Sequence, residues 1–183
     1  MKTPHALIPH PIGAPLRAVK NVAARVAIAG ATLRFEYRLT GDLVELAIPP
    51  RAPPRRAERL WEHTCFEAFV AAGTGASYYE LNFAPSGQWA AYEFDGYRER
   101  MRAVELAHAP LIDAADDGNE LRVTGSVEIA TFAAALWPWR VGLTAVVADR
   151  SGRRGYYALR HMRDTPDFHD AASFALSLDG SAR

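Results

Sequence analysis

From Thr32 to Thr40 apolar and polar residues alternate without a break. Leu33, Phe35, Tyr37 and Leu39 fall on one side of an extended chain, with Arg34, Glu36, Arg38 and Thr40 on the other. Gly41-Asp42 supplies a turn and predicts Leu43–Ile48 as the hairpin partner. The Pro- and Arg-rich run from Pro49 to Pro54 then reads as a crossover that no central strand can hold. Further strands are predicted over Trp61–Ala71 and Tyr78–Phe83, which flank a turn at Gly73–Ala76, and over Gln88–Phe94. Ala103–Ala107, Glu120–Ile129, Arg140–Ala148, Gly155–Arg160 and Ser173–Leu178 complete the set, with polar turns at Asp116–Asn119 and Asp149–Arg153. Only Ala130–Leu136 reads as helical. Roughly ten short strands with turn signals every 8–12 residues predict an all-β antiparallel sandwich, jelly-roll or immunoglobulin-like, with one short helix. An α/β fold would need helical segments between the strands, and the pattern offers none.

Composition narrows this picture. The 183 residues suit one domain, expected over residues 14–183 behind a flexible arm of residues 1–13. Hydrophobic residues make up 49%, enough for a sizeable core, and the 21 basic and 21 acidic residues cancel. No summed field draws the chain to nucleic acid or to a membrane surface. The single cysteine, Cys65, rules out an internal disulfide. Pro and His interrupt every apolar stretch near the N-terminus, which predicts a cytoplasmic protein without a signal peptide. Oligomeric state is left open.

Candidate chemistry concentrates in Leu60–Val70. If that segment is extended, Trp61, His63, Cys65, Glu67 and Phe69 share one face. A solvent face would not carry Trp61, Cys65 and Phe69 together, and a core face would not carry His63 and Glu67 unpaired, since burying a lone charge is costly. Either a concave pocket lies here or Glu67 is paired to an arginine inside a core. In the next strand Tyr78, Glu80 and Asn82 alternate with Tyr79, Leu81 and Phe83, which lets Asn82 reach the same pocket. Arg98 stands in a polar stretch as a partner for Glu67 or for a ligand. The segment His161–His169 packs two His, a Met, two Asp and Phe168 into one loop between strands, where binding residues concentrate. Its spacing matches no zinc signature, so no metal site is predicted.

Leu60-Trp-Glu-His-Thr-Cys-Phe-Glu-Ala-Phe-Val70, with Tyr78-Tyr-Glu-Leu-Asn-Phe-Ala-Pro-Ser-Gly-Gln-Trp89 and Asp167–Leu178, resembles the DOMON-like domains related to the family-nine carbohydrate-binding modules. That resemblance implies a β-sandwich holding sugar between two aromatic rings. By the same resemblance Trp61 is the first clamp aromatic, Glu67 the carboxylate that accepts sugar hydroxyls, and Phe168 the second clamp, where the modules typically have Trp.

The expectation is therefore a non-catalytic domain that binds a small mono- or oligosaccharide. Its site residues would be Trp61, His63, Glu67, Asn82, Arg98, His161, Phe168 and His169, with no cofactor. One alternative is a non-covalent haem domain using Met101, His161, Met162 or His169 as axial ligands. Another is a protein-interaction module with a vestigial pocket. Catalysis is not predicted. Glu62 and Glu67 should point to opposite strand faces and could not flank one glycosidic bond. His63 and Cys65 lack a third orienting group.

Overall fold

The computed structural model describes residues 3–12, 15–132 and 137–179. Two antiparallel sheets face each other. The first runs in the order β1 (His5–Ala6), β3 (Val19–Ala29), β4 (Thr32–Gly41), β10 (Glu120–Glu128) and β9 (Leu111–Asp116), numbered along the chain. The second runs β2 (Ile8–Pro9), β12 (Arg154–Ala158), β11 (Trp139–Ala148), β5 (Cys65–Ala72), β6 (Tyr78–Phe83), β7 (Trp89–Phe94) and β8 (Arg102–Ala103), and β13 (Leu176–Leu178) also pairs with β11. The all-β sandwich expected from the alternation is the observed architecture.

Between the sheets lies a single apolar layer. Leu33, Phe35, Tyr37 and Leu39 of β4, predicted to share a face, are fully buried against Phe66, Ala68 and Val70 of β5 and their neighbours. The opposite face of β4 is polar: both Arg25 and Arg38 hydrogen-bond to Glu36. Partial burial alone would raise the Glu36 carboxyl, but the two guanidiniums outweigh it and hold the group below its ordinary range. Tyr37 crosses the layer, its hydroxyl donating to the backbone carbonyl of Glu67 at 2.6 Å.

Four local expectations are corrected. Leu43–Ile48 is not the hairpin partner of β4. Leu43–Glu45 forms a 3-10 turn capped by the Asp42 carboxylate, which accepts from the Val44 N–H, and both edges of β4 are already taken by β3 and β10. The alanine-rich β3 escaped notice because alanine is a poor strand former, although Val22, Ala24 and Val26 alternate into the core. The predicted helix is a 3-10 turn at Ile129–Phe132, there is no α-helix among the described residues, and 133–136 lie outside them. Residues 1–13 were expected to form a flexible arm, yet among those described His5–Ala6 pairs with β3 and Ile8–Pro9 with β12, so the stretch from His5 to Pro9 laces the two sheets together. His10 completes the lacing. Its ring is buried, with Nε2 3.0 Å from the Arg163 carbonyl and Nδ1 accepting from the Ile12 N–H.

Close approach of the sheets depends on Gly125. A Cβ there would lie 2.7 Å from the ring of Phe83, which reaches across from the second sheet and packs on Phe35 at 5.5 Å. Gly125→Val is expected to destabilise the protein by about 1–3 kcal/mol, the usual cost of overpacking a tight core. Thermal denaturation would register a fall of several degrees, and an unchanged Tm would show that the sheets can part there without cost.

Candidate functional site

The second sheet presents a further apolar face on its outer side. Cys65, Phe69 and Ala71 of β5, Tyr78 of β6, and Tyr92 and Phe94 of β7 are all buried there, under Leu60, Phe168 and Phe174. A 3-10 turn at Leu60–Glu62, the loop 160–170 and a turn at Ala171–Ser173 supply this cover. Gly142 of β11 makes room for it, since a Cβ would lie 2.8 Å from the ring of Phe174. Beneath the cover opens a cavity of about 420 Å³. Its walls are Trp61, Phe94, Tyr156 and Phe168, and Glu67, Glu80, Arg98 and His169 also line it.

Two carboxyls sit at the sheet itself. Glu67 and Glu80 are 3% and 5% exposed. Glu67 stands opposite Asn82 and Glu80 opposite Phe69, so the acids occupy diagonal positions on adjacent strands and the same face. Thr144 of β11 donates to Glu67 Oε2 at 3.1 Å, and Asn82 donates to Glu80 Oε1 at 2.7 Å. Neither partner carries charge. Burial, reinforced by the neighbouring Glu80, pushes the Glu67 carboxyl up to about 8, and burial lifts Glu80 to about 7. Arg98 favours ionisation of both, but only across a distance.

His169 is neutral for the same reason, its imidazolium pushed down to about 4 by burial and then by Arg98. The Tyr78 hydroxyl accepts from the Arg98 N–H at 3.2 Å and lies 2.7 Å from His169 Nδ1. The other ring nitrogen, Nε2, lies 3.7 Å from Glu80 Oε2. At the rim Asp167 behaves in the opposite way. Its burial would raise it, but it accepts from Tyr97 Oη at 2.6 Å, from Arg98 Nη2 at 3.0 Å and from the His169 N–H, and is held low. Arg163 closes on its other oxygen at 3.3 Å.

Of the residues picked out from sequence, Trp61, Glu67, Arg98, Phe168 and His169 converge on this cavity. Trp61 arrives differently from the way it was expected to. The strand begins at Cys65, and the 3-10 turn carries Trp61 out to the wall, edge-on to Tyr92 at 6.0 Å. Asn82 is wholly buried behind Glu80 and orients it, with Cys65 Sγ 3.6 Å from its Oδ1. His63 is exposed and borders a separate hollow beneath the 47–49 segment. His161 turns to the N-terminal strands, its Nε2 2.8 Å from the Ile8 carbonyl and its ring edge-on to His10. Arg98 pairs with Asp167 rather than with Glu67. Tyr78 and Asp167 were missed, and Glu80 was passed over in favour of Asn82. Glu80 shares the predicted face of Asn82, and that alternation was the available signal.

No family model matches the chain, and no curated protein does. Among solved structures the fold is shared. A protein from Bacteroides uniformis assigned to carbohydrate binding superposes with a TM-score of 0.64 at 16% identity, over 87% of this chain and 78% of that one. A family 9 carbohydrate-binding module from Caldicellulosiruptor kristjanssonii, in complex with cellotriose, superposes with a TM-score of 0.51 at 11% identity, over 89% and 78%. The sandwich is thus the one on which those two proteins are built.

The buried acids set the sign of a pH effect. Glu67 and Glu80 hold protons more tightly when folded, so stability falls as pH rises from the ordinary 4.5 towards about 8. His169 opposes them below its ordinary 6.5, because it is harder to protonate when folded. The clear window therefore runs from 6.5 to about 8. Tm is expected to drop across it, and Glu67→Gln to flatten the drop. A wild-type Tm that stays level or climbs over that window would mean that both acids are already ionised.

Proposed function

We propose that this chain is a non-catalytic, DOMON-like ligand-binding domain that takes a small carbohydrate into the cavity between Trp61 and Phe168. One observation carries the reading: aromatic walls and two buried carboxyls meet in a single hollow of about 420 Å³. Pyranose rings offer apolar C–H faces to aromatic rings, while their hydroxyls need polar partners in fixed positions. Trp61 and Phe168 supply rings, and Glu67, Glu80 and His169 supply donors and acceptors. The likeness in fold to proteins associated with carbohydrate supports the same reading, as does the motif of Trp61–Trp89.

The carboxyl pair suits binding better than hydrolysis. A glycosidase sets an acid and a base across the scissile bond. Here both acids rise side by side from one sheet and meet a ligand from the same direction, and burial lifts both. Aryl glycosides are expected to release no phenol above the uncatalysed rate. Haem fits less well. His161 lies outside the cavity lining, its Nε2 engaged with Ile8, and His169 has Nδ1 engaged with Tyr78, so the two rings do not face one another across the cavity as a pair of axial ligands.

Calorimetric titration with a panel of mono- and disaccharides tests the proposal. At least one sugar is expected to bind, with affinity falling about tenfold or more, roughly 1.4 kcal/mol, in Trp61→Ala and in Glu67→Ala. Affinity retained in both variants would place the ligand elsewhere.

A further inference from the structure

The floor of the cavity has oxygens to spare, and among the described residues no lysine or arginine pairs with either carboxyl. Glu67 Oε2 is taken by Thr144 and Glu80 Oε1 by Asn82. The other oxygen of each carboxyl is left for the cavity, with His169 Nε2 3.7 Å from Glu80 Oε2, too long for a hydrogen bond. Of the two arginines that line the cavity, Arg98 pairs with Asp167, and Arg154 reaches the lining from an exposed position on β12. Aromatic faces surround the two acids. Acceptor oxygens within an aromatic enclosure form an environment that favours a compact cation, which gains charge-assisted hydrogen bonds below and ring quadrupoles beside it.

We infer that the ligand of this site is an amino sugar, whose protonated primary amine bridges Glu67 and Glu80 while its ring stacks between Trp61 and Phe168. The inference rests on the carbohydrate reading and specifies the sugar. An ammonium has three donors and no acceptor, which matches two carboxylates held side by side. A neutral hydroxyl would satisfy one oxygen and leave the acids as costly to ionise as before. An ammonium instead relieves the mutual repulsion of the pair and draws both into the ionised state. Entry of the amine therefore expels the protons the acids carry near neutrality, and binding is linked to proton release.

The test is calorimetry at about pH 6.5, where the amine is charged and His169 is not. Glucose, galactose and mannose are each compared with the 2-amino and N-acetylamino forms, in two buffers of different ionisation enthalpy. An amino sugar is expected to bind at least about tenfold more tightly than its hydroxyl and N-acetyl counterparts, with a buffer-dependent heat showing proton release. In Glu67→Gln and Glu80→Gln, checked as folded by circular dichroism, that ratio should fall towards one. Equal binding of neutral and amino sugars, or a preference that survives both substitutions, would overturn the inference and leave the carbohydrate reading intact. Cyclohexylamine in the same series separates the two ideas. If it binds while no sugar does at about 10 mM, the ammonium site stands and the carbohydrate reading falls. If nothing binds, both fall.

Discussion

Strand β5 lies between β11 and β6 and is buried on both faces, with Phe66, Ala68 and Val70 turned to the sandwich core and Cys65, Glu67 and Phe69 turned to the loops. A sheet used in this way can place a polar side chain in its outer layer only where something compensates the lost hydration. Glu67 has one hydroxyl to lean on and Glu80 one amide, and for a carboxylate that is too little. The acids answer by holding their protons. Glu67 is held from the core side as well, because the Tyr37 hydroxyl of the other sheet donates to its backbone carbonyl.

Both layers are closed by the same device, a glycine in a strand facing an aromatic ring. Gly125 admits Phe83 into the inner layer, and Gly142 admits Phe174 into the outer one. Phe174 then stacks on Phe69 at 5.5 Å and so fastens the chain after loop 160–170 over the sheet. Burial of the outer face is what turns this loop into a cavity wall. Phe168 and His169 are held over Glu67 and Glu80 by this packing together with the Asp167 hydrogen bonds.

The sandwich was legible because period-two alternation survives wherever one face is buried, and β4 shows it over its full length. It failed where the local signal was weak or was outvoted. Alanine hid β3. Asp42 looked like a turn residue and acted as a cap. Trp61 and Glu67 were read as neighbours on a strand, and they do share a cavity, but through a turn that alternation cannot describe. Glu80 could have been found from its phase with Asn82. Asp167 could not, since its importance comes from Tyr97, Arg98 and Arg163, which are gathered around it only by the fold.

Asp167 also explains why, among the described residues, no arginine pairs with the acids of the floor. Three acids lie in or beside this hollow, and burial acts on all of them in the same sense. Their fates differ because the arginines are distributed unequally. Arg98 and Arg163 both reach Asp167 at the rim, where their own charge stays partly hydrated. To reach Glu67 either would have to be stripped of water among Trp61, Phe94 and Phe168, a cost that one more ion pair in a dry site does not recover. An ionised rim and a protonated floor follow from that single preference. The same division leaves the carboxyl oxygens of the floor open to whatever group a ligand brings.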